Sequence, residues 1–358
     1  MHQEALKKLV PQYLKGHEFH SAETLQGGII NATYLVTTES REKLVLQLVN
    51  TDVFTEPERV MGNVKAVTDH LRKVAPESRN LSLLSTVAGE SFVIENGLWR
   101  AFSYLDGCIG YEVVNTEDQA YEAGFAFGQF LRQLDGIEPT RLSETLPDFH
   151  HTPKRLIALD EAVAEDKCDR KKEVLDELGY IESCRGWIST VEDLRKDGKL
   201  PERVTHNDTK ISNVLFDQVT NKAVCVIDLD TVMSGTMLYD FGDLVRTSVN
   251  SSSEDDGVEA VECRLNIFEF LSKGYLDAAG EVLTQSEKDH LVFSAKLITL
   301  ELSIRFLTDY LNGDQYFKVT HERQNLQRAK NQLRLVDLLE RRKDEMQNII
   351  NQRLEQNR

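Results

Sequence analysis

The spacing of apolar positions changes near residue 105. Before that point short apolar runs dominate: N-A-T-Y-L-V-T-T at 31–38, K-L-V-L-Q-L-V-N at 43–50 and S-F-V-I-E-N-G-L-W-R-A-F-S-Y at 91–104. Runs rich in valine, leucine and aromatics, separated by polar residues, predict strands, and the polar break in the third predicts a hairpin. Helices are predicted over 1–18 and 56–73. Gly27 and Gly28 suit either a hairpin turn or a loop lying over phosphate. After L-D-G at 105–107, helix formers fill 116–200, with breaks at 136–139 and 147–153. From about 258 onward the chain again reads helical, and the charged tail after 325 carries a leucine and isoleucine stripe.

Between these helical stretches lies the segment with the most chemistry. T-H-N-D-T-K-I-S-N at 205–213 places Asp208 and Asn213 five positions apart. Two apolar runs follow, N-V-L-F-D at 213–217 and A-V-C-V-I-D at 223–228, with Q-V-T-N-K between them. Folded as a hairpin, they bring Asn213 beside Asp228. This is the layout of a kinase-type phosphoryl-transfer site. Asp208 would orient an acceptor hydroxyl and take its proton. Asn213 and Asp228 would hold Mg²⁺ against nucleotide phosphates, since magnesium needs few protein oxygens. Asp230 suits either a second metal contact or a structural acceptor, and His206 suits a backbone bond that shapes the loop. A literal D-F-G at 240–242 precedes a helical pattern, so Asp240 or Asp243 is expected to cap that helix or support the catalytic loop.

The expected fold class is therefore α+β, a bilobal protein-kinase-like fold with a strand-rich N-lobe and a helix-rich C-lobe. The N-terminal lobe, 1–103, would supply the nucleotide-binding sheet and helix. The C-terminal lobe, 104–358, would supply the catalytic loop, the metal hairpin and a helical acceptor-binding region, with the cleft near 103–107.

Charge narrows the partners. With 42 basic and 59 acidic residues the net charge is −17, and no basic stripe offers a nucleic-acid footprint. Anionic membranes are disfavoured for the same reason, and no apolar run is long enough to span a bilayer. The first ten residues lack a signal-peptide core, and five scattered cysteines form no C-x-x-C pair. A cytoplasmic protein with reduced thiols is expected. Nothing in the sequence sets an oligomeric state.

V-T-H-N-D-T-K-I-S-N-V-L-F-D, with V-I-D-L-D-T-V-M-S-G-T-M-L-Y-D-F-G-D-L-V-R, resembles the aminoglycoside phosphotransferase and choline kinase-like superfamily. I-N-A-T-Y-L-V-T-T at 30–38, F-H-H-T-P-K-R at 149–155 and R-F-L-T-D-Y-L-N-G-D-Q-Y-F at 305–317 are similar to its N-acetylhexosamine 1-kinases. The resemblance implies ATP- and Mg²⁺-dependent phosphorylation of the anomeric hydroxyl of N-acetylglucosamine or N-acetylgalactosamine, giving the α-1-phosphate. It implies Asp208 as base and substrate contact, Asn213 and Asp228 as metal ligands, and Thr231, Arg305 and Tyr316 as sugar contacts. Adenine would lie at the hinge of Phe102, Ser103, Tyr104 and Leu105. Gln47 stands where many members carry a strand lysine or arginine, and either phosphate or solvent is open to it. Ile29 and Thr247 stand where histidine and an aromatic are expected, which bears on the preferred hexosamine.

The bland reading of Arg305 is an i,i+4 ion pair with Glu301 or Asp309 on its helix. Other small-molecule acceptors of the same fold are aminoglycosides, homoserine and choline. A glycosyltransferase using D-L-D at 228–230, or a non-catalytic pseudokinase, leaves the H-N-D-x-x-x-x-N run with no role.

Overall fold

The computed structural model describes residues 2–25 and 30–356, so the sequence readings of Gly27, Gly28 and Ile29 lie outside the described residues. The chain forms two compact units: Met1–Gly110 with Gln133–Pro147 and Ser212–Ser234, and Tyr111–Arg132 with Asp148–Ile211 and Gly235–Arg358.

The first unit is built on an antiparallel sheet. Its strand order is Phe19–Thr24, Ala32–Thr38, Lys43–Leu48, Leu98–Ser103 and Leu83–Leu84, with Val93–Ile94 also paired to Leu98–Ser103. Period-two alternation sends Leu44 and Leu46 to one face, where they join Val36, Trp99 and Ala101. The helix Gln3–Tyr13 covers that face with Leu6, Leu9, Val10 and Tyr13, and the Tyr13 hydroxyl donates to the Trp99 carbonyl at 2.9 Å. The helix Pro57–Val74 starts with proline in its first turn and buries Val60, Met61, Val64, Val67 and Leu71 at helical spacing. The same register places Gln47 opposite Thr33 on one side and Arg100 on the other.

A smaller sheet in this unit carries the expected hairpin. Val214–Asp217 pairs antiparallel with Ala223–Val226 on one edge and with Cys108–Gly110 on the other. The Asp217 carboxylate shapes the turn by accepting the N–H groups of Val219 and Thr220 at 3.1 and 2.9 Å.

The second unit is helical. Its axis is Leu291–Leu311, which is buried on nearly every face and packs against Thr152–Glu165, Met237–Val249 and Gln324–Arg341. Leu156, Leu159, Ile181, Ile304, Leu307, Leu333 and Val336 form one apolar cluster around it. Gly242 lets Met237–Val249 approach closely, because a Cβ there would stand 2.5 Å from the Ser294 carbonyl oxygen. Among the described residues no helix is long and apolar enough to cross a membrane.

Candidate functional site

In the second unit, the buried strand Arg203–Thr205 leads into the loop that carries Asp208. Asn207 takes φ of 65°, a left-handed conformation that asparagine tolerates. The loop is held from beneath by Asp240, whose two carboxylate oxygens accept the N–H groups of His206 and Asn207 at 2.8 and 2.7 Å. The Asp240 carbonyl accepts from the Thr209 hydroxyl. Burial pushes the Asp240 carboxyl up, while His206 and those backbone donors pull it down. The D-F-G segment thus lies inside the helix Met237–Val249, whose cap is Thr236. Asp240 supports the loop that carries Asp208, and Asp243 pairs with Arg246 at 2.8 Å.

His206 is fully buried, edge-on to Phe127 and Phe130, and its Nδ1 accepts the Asp208 N–H at 3.3 Å. Asp208 itself is about one-third exposed and faces Lys210 Nζ at 3.1 Å. On another side of the loop, His150 Nε2 donates to the Asn207 carbonyl while Nδ1 faces the Glu301 carboxylate, both at 2.9 Å. Glu301 also accepts from the Thr152 hydroxyl at 2.7 Å. Burial opposes a charge on His150, yet Glu301 and the Asn207 carbonyl outweigh it and hold the imidazole above its ordinary value. Burial likewise opposes a charged Glu301, and His150 and Thr152 outweigh it and hold that carboxyl below its own.

Asn213 and Asp228 belong to the first unit. The Ile227 N–H donates to the Asn213 carbonyl at 2.9 Å, so the strand ends carrying the two residues are tied to each other. Asn213 is buried, and Asp228 is half-buried with φ of 63°. One side-chain amide and one carboxylate match the oxygen-donor chemistry of Mg²⁺, which fills its remaining positions with phosphate and water. Asp230 has a different setting. One of its oxygens is paired with Arg100 and the other accepts Asn31 Nδ2 at 2.6 Å. Its two carboxylate oxygens are engaged by protein donors, so of the two sequence readings the structural acceptor is the one observed.

Gln47 is engaged within the sheet. Its Nε2 donates to Thr33 Oγ1 at 3.0 Å and its Oε1 accepts Arg100 Nε at 2.9 Å. Phe102 is in the core, the Ser103 N–H donates to the Ser82 carbonyl while the Ser82 N–H donates to Ser103 Oγ, and Tyr104 and Leu105 are half-exposed. Lys43 Nζ lies 4.9 Å from the Tyr104 ring.

Arg305 and Tyr316 come together in the second unit, and Thr231 is buried in the first, in the single turn Leu229–Thr231. The Arg305 guanidinium lies over Phe149, Tyr316 and Phe317 at 5.3, 5.8 and 5.7 Å. Among the described residues it has no hydrogen bond or ion pair. The i,i+4 reading does not hold. Glu301 turns to His150 and Thr152, and Asp309 accepts the N–H groups of Gln315, Tyr316 and Phe317 at 2.8–2.9 Å. Asp309 therefore fixes the loop that presents Tyr316, which is 66% exposed beside Arg305. Nearby Arg155 donates to the Phe149 carbonyl at 2.9 Å, and burial with the charge of Arg305 lowers its pKa. Thr247 donates back to the Asp243 carbonyl at 2.9 Å, four residues earlier on its helix.

Sequence reasoning missed Arg100, named Glu301 only as a candidate partner of Arg305, and quoted His150 only within F-H-H-T-P-K-R, with no role for it. A signal existed for two of them. Arg100 interrupts L-W-R-A-F and Glu301 interrupts L-I-T-L-E-L, and a charge inside an apolar run needs a buried partner. His150, within F-H-H-T-P, carried no such mark.

The family model described as phosphotransferase enzyme family matches residues 21–270. Among solved structures, an aminoglycoside phosphotransferase from Alicyclobacillus acidocaldarius is 11% identical, with a TM-score of 0.66 and coverage of 95% of each chain. A microcompartment-associated aminopropanol kinase is 17% identical, with a TM-score of 0.61, covering 96% of this chain and 98% of its own. An amicoumacin kinase solved with AMP-PNP and Ca²⁺ is 13% identical, with a TM-score of 0.58, covering 94% and 93%. These likenesses show a protein-kinase-like fold, with an antiparallel sheet in the N-terminal region and helices in the C-terminal region.

Proposed function

The chain belongs to the phosphotransferase enzyme family, and from that premise we propose an ATP- and Mg²⁺-dependent kinase acting on the anomeric hydroxyl of an N-acetylhexosamine to give the α-1-phosphate. The observation that carries the acceptor class is Arg305. Its guanidinium rests on three aromatic rings with its donors unspent among the described residues. Rigid forked donors beside aromatic faces suit a hydroxyl-rich acceptor. The second cation, Arg155, strengthens the argument, since two guanidinium groups repel a cationic acceptor. Contacts run from Arg305 through Phe149 to His150 and the Asn207 carbonyl, one residue before Asp208.

In this reading the acceptor oxygen forms a bond to the γ-phosphorus of ATP. The bond from that phosphorus to the ADP oxygen breaks, ADP leaves, and the hydroxyl proton passes to Asp208. Asn213 and Asp228 would hold Mg²⁺, which when bound would supply charge neutralisation at the phosphates. The segment at Phe102, Ser103, Tyr104 and Leu105 takes the adenine, and Tyr316 joins Arg305 at the sugar.

A second reading, an amino-alcohol or aminoglycoside acceptor, is favoured by the acceptors named for the similar structures and by the net charge of −17. ADP release measured over a panel of N-acetylhexosamines, choline, aminopropanol, homoserine and aminoglycosides separates the two. Turnover confined to the hexosamines supports the first reading, and turnover confined to the amines replaces it.

A further inference from the structure

Arg100 is a cation buried in the first unit, 1% exposed on the strand Leu98–Ser103. Register places it opposite Gln47, and its Nε is fixed by the Gln47 amide oxygen at 2.9 Å. Its Nη1 pairs with Asp230 and lies 3.9 Å from Met61 Sδ. A guanidinium this enclosed cannot meet a nucleotide phosphate directly. What it does meet is the turn that follows Asp228. Asp230 lies in the single 3₁₀ turn Leu229–Thr231, whose three residues are all buried. The same carboxylate accepts Asn31 Nδ2 at 2.6 Å, and Asn31 Oδ1 in turn accepts the Asn50 N–H at 3.0 Å. Just beyond the turn, the Val232 carbonyl accepts Asn63 Nδ2 at 3.0 Å, from the helix Pro57–Val74. The backbone immediately after Asp228 is thus pinned to the main sheet at Asp230 and to the helix at Val232.

We propose that Arg100 is a positioning residue for the metal ligand Asp228, acting through Asp230 and the Leu229–Thr231 turn. Asp228 itself sits in left-handed backbone at φ of 63°, a conformation its surroundings must hold in place. A buried ion pair is a weak source of stability, because desolvation offsets its attraction. Its forked geometry is a strong source of orientation, because Arg100 engages Gln47 and Asp230 at the same time. The proposal rests on the reading of Asp228 as a metal ligand.

The test uses the full chain and three readouts: thermal unfolding, affinity for metal-free ADP, and calorimetric titration of Mn²⁺ in the presence of ADP. In Arg100→Met with Asp230→Leu, both charges are replaced by apolar groups of similar volume, which relieves the folding penalty of a lone buried charge. The proposal expects a folded protein with metal-free ADP binding near wild type and Mn²⁺ affinity weakened about 10–100-fold, the usual cost of removing a group that orients a metal ligand. Arg100→Met with Asp230→Asn also leaves no lone charge, keeps a polar partner for Asn31 and carries the same expectation if the first double variant fails to fold. Mn²⁺ binding equal to wild type in the folded variant overturns the proposal. Asp228→Ala is the control. If it binds Mn²⁺ like wild type, the metal-ligand reading fails and the proposal fails with it. If it loses Mn²⁺ while the Arg100 and Asp230 variants keep it, only the positioning role is overturned.

Discussion

His150 and Glu301 share a proton whose place the geometry constrains. The Asn207 carbonyl can only accept, so His150 Nε2 carries a hydrogen. At 2.9 Å from Glu301, Nδ1 then either donates as part of an imidazolium or accepts from a protonated carboxyl. The raised His150 and the lowered Glu301 both favour the imidazolium–carboxylate form. Tyr239 stacks on this ring at 5.4 Å, and Arg305, on the helix of Glu301, and Asp240, on Met237–Val249, also act on the pair. A charged pair inside the second unit therefore grips the residue before Asp208.

This pair makes stability depend on pH in a defined direction. His150 is raised on folding, so its contribution is complete below its ordinary value of 6.5 and is lost as pH climbs through its folded value. Glu301 is lowered, so its contribution is complete above its ordinary 4.5 and is lost as pH falls through its folded value. Both are complete between 4.5 and 6.5. Glu301→Gln should cost about 3 kcal/mol at pH 6, because it breaks a buried pair. Urea unfolding at pH 6 and pH 8.5 checks this, and the variant should lose part of the difference between the two.

Asp240 and Asp228 should behave as opposites. Asp240→Ala removes the acceptor of two buried N–H groups, about 1–3 kcal/mol for each group left unpaired. It should lower the melting temperature and slow turnover while leaving the Mg²⁺ requirement where it was. Asp228→Ala and, less severely, Asn213→Ala should raise the Mg²⁺ concentration for half-maximal activity with little effect on melting. Magnesium titrations beside melting curves separate the two classes.

Arg305→Ala should weaken the acceptor far more than ATP, by roughly 1–3 kcal/mol for lost hydrogen bonds to the substrate. Arg305→Lys should recover little, because an ammonium lacks the fork and the flat face that meets Phe149, Tyr316 and Phe317. Saturation curves varying the acceptor and then ATP check the split.

Asp208→Asn should reduce turnover by about 10²–10⁴, the usual contribution of a general base, with ADP affinity close to wild type. Single-turnover rates with calorimetric ADP binding test both halves. Turnover within threefold of wild type would remove Asp208 from the chemistry.

What could be read in the chain was what lies close along it. Asp208, Asn213 and Asp228 occupy one short stretch, and the valine-rich runs between them announce the strands Val214–Asp217 and Ala223–Val226. The D-F-G segment was readable as helix because apolar spacing continues past it. Arg100 was not readable, because its partner Asp230 is 130 residues away and only the register opposite Gln47 brings them together. Glu301 and His150 are 151 residues apart, and their contact depends on how Leu291–Leu311 packs. The surroundings of Arg305 were not readable from helical spacing alone. Its i,i+4 neighbours were drawn off by backbone N–H groups and by His150, competition that linear spacing cannot show.

The most direct test of the proposed activity is the ³¹P NMR spectrum of the product formed from ATP and N-acetylglucosamine or N-acetylgalactosamine. The account predicts a phosphate coupled to the anomeric proton, with the small sugar coupling of the α configuration. A phosphate coupled instead to the methylene protons of the 6-position, or product formed only from an amine-bearing acceptor, would contradict it.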